Sequence, residues 1–251
     1  RQLTRYDYAT APQWSPDGRY LAYVSDATGW WHLYLYDTAS SEHRQLTHGE
    51  REHGIPAWVQ GMKMYAWAND SQHIIAIHHS KAFYAVSKYN LDGDKTPLDA
   101  LSDYTHIDRL AVSPTNDTIA LIASASTIPL RILSYSASGD VQIIRRATTE
   151  MLPDDVLSSC EAITWDAHDG ETAHGLYFAP QNSHYQAPEN TVPPLMVLIH
   201  GGPTSQRNAS YDLEVQFFAS RGYAVLQVNH RGSTGYGKAY MDKNAGNWGI
   251  Y

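Results

Sequence analysis

The segment Leu195-Met196-Val197-Leu198-Ile199-His200-Gly201-Gly202-Pro203-Thr204-Ser205 carries the strongest chemical signal in the sequence. Its unbroken apolar run reads as a strand buried on both faces. The run ends in paired glycines, which let the backbone turn sharply and aim amide N–H groups into the crevice where open α/β sheets bind ligands. Such an amide suits a carbonyl oxygen that is becoming an oxyanion. Gly202 is the better candidate donor, with Gly201 making the turn, because Pro203 has no N–H to offer. A turn that merely needs glycine is the alternative reading.

Other constellations carry less. Gly232-x-x-Gly235-x-Gly237 is neither a G-x-G-x-x-G fingerprint nor a P-loop with a following Lys-Ser/Thr, so nucleotide binding is not expected. His48, His53, His78 and His79 invite a metal reading. However, no H-E-x-x-H occurs, and neighbouring strand residues such as His78 and His79 point to opposite faces. Asn90-Leu91-Asp92-Gly93-Asp94 has too few spaced oxygens for a calcium loop and reads as a hairpin turn. Arg231 follows a second buried-type strand; a salt bridge holding its loop is the favoured reading, and substrate contact the weaker one.

The elements that must position these residues follow from composition and pattern. Lys plus Arg number 18 against 26 Asp plus Glu, a formal charge of −8, with no basic stripe to follow a phosphate backbone. Nucleic acid is therefore not an expected partner. Tyr (18) far outnumbers Phe (4), a bias that suits half-exposed strand faces. The single Cys160 cannot form an internal disulfide or a Cys-based zinc site. No 18-residue apolar run spans a membrane, and Arg1-Gln2-Leu3-Thr4 is no signal-peptide core, although a leader could have been removed.

A repeat emerges along the first part of the chain. Trp14-Ser15-Pro16-Asp17-Gly18 precedes the strand-like Tyr20 to Val24. The shape returns as Trp67-Ala68-Asn69-Asp70-Ser71 before Ile74 to Ile77, and as Val112-Ser113-Pro114-Thr115-Asn116 before Ile119 to Ile122. Aligned on Ser15, Ala68 and Ser113, the intervals are 53 and 45 residues, and each unit supplies further short strands, which read as β-propeller blades. After a polar connector from Thr149 to Ser158, Ala162 to Trp165 and Gly175 to Phe178 flank Asp169-Gly170 as a hairpin. A helix is expected within Ser210 to Ser220, with Leu213, Phe217 and Phe218 on one face, then a buried-type strand from Tyr223 to Val228. Strand, glycine turn, helix and strand open a parallel α/β sheet.

Several motifs then carry a family resemblance in order: Pro194 to Ser205, Ser220-Arg221-Gly222-Tyr223-Ala224-Val225, Asn229-His230-Arg231-Gly232-Ser233-Thr234-Gly235-Tyr236-Gly237, and Asn247-Trp248-Gly249. With the upstream hairpin and the Trp-Ser-Pro-Asp-Gly turn, the chain resembles the prolyl oligopeptidase family of serine peptidases, its acylaminoacyl-peptidase and dipeptidyl-aminopeptidase-like branch above all. The resemblance implies a β-propeller screening an α/β-hydrolase domain, a Ser-Asp-His triad, and the Gly202 amide as one oxyanion donor. His200 stands where related branches carry a tyrosine at the oxyanion hole; a structural role is favoured over donation. The family's G-x-S-x-G elbow is missing, since no Gly-x-Ser-x-Gly occurs in the 251 residues and Gly232-Ser233-Thr234-Gly235 has the wrong spacing. The segment from Gly54 to Trp67 is loosely similar to the dipeptidyl-peptidase region with paired glutamates, yet reads Val59-Gln60-Gly61-Met62-Lys63, so strict dipeptide release is not expected.

The expected fold is thus a partial β-propeller of about three blades over 1–158, followed by the N-terminal part of an α/β-hydrolase domain over 159–251 that stops before the nucleophile elbow. The expected activity is serine-type hydrolysis of short peptides by acyl transfer, with the triad outside these residues. A non-catalytic propeller-hydrolase binding module and an esterase of the same fold are the alternatives. No cofactor or metal, no nucleic acid and no membrane are expected; homo-oligomer formation stays open, and the expected location is the cytoplasm.

Overall fold

The computed structural model describes residues 8–58, 61–149, 152–202, 204–247 and 249. Three four-stranded antiparallel sheets follow one another, each pairing its strands in chain order. The first holds β1 (Ala9–Trp14), β2 (Tyr20–Ser25), β3 (His32–Asp37) and β4 (Glu42–Gln45). The second holds β5 (Tyr65–Trp67), β6 (His73–Ser80), β7 (Phe83–Asn90) and β8 (Lys95–Pro97). The third holds β9 (His106–Val112), β10 (Ile119–Ala125), β11 (Ile128–Tyr135) and β12 (Val141–Arg146).

The repeated turns explain this regularity. In the first, Gly18 takes φ +73° and its N–H closes on Ser15 O at 2.9 Å, a backbone shape that favours glycine. The turns also bind one another. Asp17 N–H donates to Ser71 Oγ at 3.1 Å, and Asn69 N–H donates to Asp117 Oδ1 at 2.8 Å, so each repeat is registered on the next. Apolar strand faces then pack sheet against sheet. Leu33, Leu35, Tyr65 and Ile74 share one core cluster, while Ile77, Ile107, Leu121 and Leu133 share another.

The fourth sheet has the order β13 (Cys160–Asp166), β14 (Thr172–Phe178), β16 (Ala224–Asn229), β15 (Leu195–Ile199). Its last pair is parallel, with Leu195 opposite Ala224 and Ile199 opposite Val228. The crossover contains α1 (Leu213–Ala219), and a short α2 (Lys238–Met241) follows β16.

Two expectations need correction. Helix α1 buries Val215, Gln216 and Ala219, whereas Leu213 and Phe217 are exposed. The Asp212 carboxylate sets this phase by capping the Glu214 and Val215 N–H groups, which turns the i, i+4 pair Val215/Ala219 onto the sheet. Strand β15 is not buried on both faces: Leu195, Val197 and Ile199 are exposed while Met196 and Leu198 pack inward. Among the described residues its one sheet neighbour is β16, and α1 covers one face only.

Gln216 locks the fourth sheet to the third. Fully buried, its Oε1 accepts from Ser158 N–H at 2.8 Å, and its Nε2 donates to Ser126 O at 2.9 Å and Ser158 O at 2.8 Å. Replacing it by leucine orphans three buried backbone groups, so Gln216→Leu should cost about 3 kcal/mol in urea unfolding. A loss below about 0.5 kcal/mol would show that water replaces the amide.

A buried histidine cluster joins the first two sheets. The His53 ring lies 5.5 Å from His32 and 5.6 Å from His78, and its Nε2 meets the Tyr89 hydroxyl at 3.0 Å. Burial pushes His32 down to about 4, His78 and His79 down to about 3, and His53 well below the usual range. The unfolded chain takes up protons near pH 6.5 that these folded imidazoles refuse, so stability falls as pH drops from about 7 to 5. One carboxylate, Glu52, is raised by burial to about 7 and works in the opposite sense, one group against four. The urea midpoint should therefore be lower at pH 5 than at pH 7; an equal or higher midpoint would mean that the folded histidines accept protons.

Candidate active site

The parallel pairing of β15 and β16 brings their C-terminal ends to one edge, so the loops that begin at His200 and His230 lie side by side. Gly201 and Gly202 are exposed at this edge, and among the described residues neither amide N–H finds a hydrogen-bond partner. Gly202 takes φ +144°, and a Cβ there would stand 3.0 Å from Ser205 Cβ. Both facts favour glycine at this position. Two unsatisfied donors at a strand end are what a developing oxyanion needs. Pro203, which directed the choice of Gly202 as donor, lies outside the described residues, as do Val59, Gln60 and Trp248.

His200 lies beside these amides with both ring nitrogens engaged. Nδ1 is 2.9 Å from Gly201 O and Nε2 is 2.8 Å from Ser233 Oγ, while the ring stacks on His230 at 4.5 Å. A carbonyl oxygen can only accept, so Nδ1 carries the proton and Nε2 accepts from the Ser233 hydroxyl. Burial holds the His200 pKa down, which keeps the imidazole neutral. In this tautomer no ring proton is left for a substrate oxygen.

Ser233 and His200 are at nucleophile–base distance, yet Ser233 has no exposed surface. No carbonyl carbon can reach its Oγ, so the pair pins two loops together. The pinning continues along both loops. Thr234 N–H donates to Ser205 O at 2.9 Å, and the Asn229 carboxamide bridges Arg207 N–H (2.6 Å) and Arg207 O (3.0 Å). Gly235 takes φ +88°, and a Cβ there would strike Gln206 Oε1 at 2.0 Å, so glycine is favoured there.

The repeat region supplies the outer wall of this edge. Gln206 Nε2 donates to the Tyr84 hydroxyl at 2.8 Å, Ala209 N–H to Ala82 O at 3.0 Å, and the exposed Trp58 indole N–H to Thr204 O at 3.3 Å. Arg231 sits in the same edge, almost fully buried, and its guanidinium pairs with Asp169 and, at 3.4 Å, with Glu171 on the tip of the β13–β14 hairpin. Lys243 also pairs with Glu171. These cations hold both carboxyls below their usual range: Arg231 acts on Asp169, and Lys243 first, then Arg231, on Glu171.

The structure thus brings Gly201, Gly202, His200 and Arg231 to one edge of one sheet. Reading the sequence missed Gln206, Tyr84, Asn229 and Glu52. Asn229 had a legible signal, a polar residue closing an apolar strand. Among the described residues no group of three or more His, Cys, Asp or Glu is placed to hold a metal ion. A hollow at the opposite end of the sheet is lined by Pro180, His184, Tyr185 and Gly222, and among the described residues none of the orphaned buried polar atoms belongs to it.

The Ser233 reading has a direct check. In the full-length protein, Ser233→Ala should leave labelling by a serine-directed fluorophosphonate intact while loosening the His200 loop. Loss of label in a folded variant would make Ser233 the nucleophile.

The family model for the prolyl oligopeptidase family matches residues 209–251, and that for the dipeptidyl peptidase IV N-terminal region matches residues 1–79. An uncharacterized peptidase, YuxL, of Bacillus subtilis is 26% identical over 183 residues, which is 73% of this chain and 27% of that protein. A probable dipeptidyl-peptidase 5 of Emericella nidulans is 26% identical over 262 residues, covering 95% of this chain and 33% of the relative. The solved structure of a Mycobacterium tuberculosis puromycin-hydrolyzing peptidase superimposes with a TM-score of 0.87 at 31% identity, over 96% of this chain and 36% of the other. The chain therefore spans about a third of the length of the relatives it matches.

Proposed function

We propose that this chain, which belongs to the prolyl oligopeptidase family, forms the substrate-screening wall and the oxyanion side of a serine-type peptidase acting on short peptides. The observation that carries the proposal is the exposed Gly201-Gly202 turn, with two unpartnered amides at the C-terminal edge of a parallel strand pair. In this reading the three antiparallel sheets are consecutive propeller blades within 1–158, and 159–251 opens the α/β-hydrolase domain. The registered turns at Asp17, Asn69 and Asp117 and the meander order of each sheet support the blades.

The chemistry is acyl transfer. A serine outside these 251 residues, made nucleophilic by its histidine, attacks the peptide carbonyl carbon, and the C=O pair moves onto oxygen. The Gly202 N–H donates to that oxyanion more strongly than to the ground-state carbonyl, which lowers the barrier. The histidine returns its proton to the leaving amine, and water then releases the acyl group. The carboxylate-free segment around Gly61 favours uptake of short peptides and aminoacyl amides without a strict dipeptide count.

The full-length protein should label with a fluorophosphonate and hydrolyse an aminoacyl anilide in preference to a simple acyl ester. Gly202→Ala, which must move an amide held at φ +144°, should lower kcat by about 100-fold with little change in KM. An unlabelled wild type would reduce the protein to a binding module. Preference for the ester would make it an esterase, and unchanged kcat in Gly202→Ala would remove the oxyanion role.

A further inference from the structure

Glu52 is a carboxylate that the proposed chemistry does not use. It is almost fully buried and, among the described residues, forms no ion pair. Its Oε2 accepts from Trp31 N–H at 2.7 Å, and its Oε1 accepts from Gly237 N–H at 3.1 Å, a contact across 185 residues of sequence. Its backbone is tied in both directions to His79, by bonds of 2.8 and 2.9 Å. An unpaired buried carboxylate is costly, and this one gives both oxygens to amides of two different segments.

We propose that Glu52 is a positioning residue for the oxyanion-side loops, setting the Gly201-Gly202 turn from the repeat region through the segment 232–237. This deepens the peptidase reading and rests on it. The route is continuous. Glu52 holds Gly237, where a Cβ would meet Trp30 at 3.2 Å, and the adjoining Lys238 N–H donates to Gly29 O at 2.8 Å. The segment so fixed presents Thr234 to Ser205, Gly235 to Gln206, and Ser233 to His200, whose Nδ1 contacts Gly201 O. Moving Gly237 therefore moves the donors themselves.

The charged and titratable groups facing Glu52 are few. Asp26 raises its proton affinity but is engaged by Lys238 at 3.0 Å, Lys238 also binds Asp242 at 3.1 Å, His79 is held neutral by burial, and the Tyr84 hydroxyl stays protonated. The ionised carboxylate accepts at both oxygens. Protonation turns one oxygen into a hydroxyl and weakens one of the two amide bonds, so the clamp tightens as pH rises through neutrality.

The test uses the full-length protein. Glu52→Gln places an NH2 against an amide donor and should lower kcat for an aminoacyl anilide about 10- to 100-fold, with KM within about twofold. Affinity for a peptidyl boronate, which mimics the tetrahedral oxyanion, should fall by the same factor. Glu52→Asp, which keeps the charge but is a methylene short, should fall between the two and serves if the glutamine variant does not fold. Backbone hydrogen exchange over 200–209 should accelerate in either variant. A folded variant with unchanged kcat overturns the proposal, as does unchanged exchange over 200–209 whatever the activity. A wild type that neither labels with fluorophosphonate nor cleaves the anilide, yet shows the faster exchange in the variants, removes the peptidase reading and leaves the clamp standing.

Discussion

The parallel pairing of β15 with β16 is the constraint on which the site depends. Antiparallel neighbours place successive turns at opposite edges, whereas a parallel pair with a helical crossover delivers both strand ends to the same edge. Once that is done, the glycine turn at 200–202 and the loop at 230–237 have no separate existence. Ser233, Thr234 and Gly235 each meet a partner in 200–206, and Asn229 clasps both sides of Arg207. The pairing is itself secured from below by Asp212, which caps α1 and accepts from Gln227 Nε2 at 3.0 Å. A change in the phase of α1 would thus be felt at the glycines.

The repeat region contributes position rather than reacting groups. Its contacts with the second region combine apolar packing of Ala82 and Phe83 against Phe178 and Val215 with hydrogen bonds: Gln216 with Ser126, Gln206 with Tyr84, Thr105 with Ala209 O at 2.6 Å, and Glu52 with Gly237. Hydrogen bonds fix distance and direction where apolar packing would tolerate sliding. That suits an interface whose task is to hold an amide within a fraction of an ångström. Turn-to-turn bonds between repeats extend the same logic away from the site, so that the wall against which the loops rest is registered strand by strand.

Much of this was legible in the sequence because local rules dominate where it was read correctly. The three repeated turns announce themselves by Pro-Asp-Gly and its echoes, and the glycine pair by its place after an apolar run. The α1 face was misread because Leu213 and Phe217 outrank Val215 and Ala219 in hydrophobicity, while the phase is set by the Asp212 cap, a single polar residue. Strand β15 shows Leu195, Val197 and Ile199 exposed because, among the described residues, α1 packs on one of its faces only, which an apolar run does not reveal. Glu52, Gln206 and Tyr84 carried no signal at all, since the contacts Glu52–Gly237 and Gln206–Tyr84 each span more than 120 residues and only the fold makes them.

The electrostatics around Gly201 and Gly202 favour charge that develops during reaction over charge already present in the ligand. A developing oxyanion gains most from N–H donors when no stronger fixed charge competes nearby. Arg231 would be such a charge, but Asp169 and Glu171 take it up at the hairpin tip. His200 would be another if protonated, but burial keeps it neutral and its Nδ1 proton is spent on Gly201 O. The edge is thereby left with amide dipoles as its exposed donors, surrounded by cations that are already paired. Dipoles bind a dispersed ground-state carbonyl weakly and a concentrated oxyanion well, whereas a free guanidinium would also hold the carboxylate of a finished product. The ion pairs of this edge, formed by the buried Arg231 with the exposed Asp169 and Glu171, therefore serve the glycine turn by neutralising a full charge in its neighbourhood.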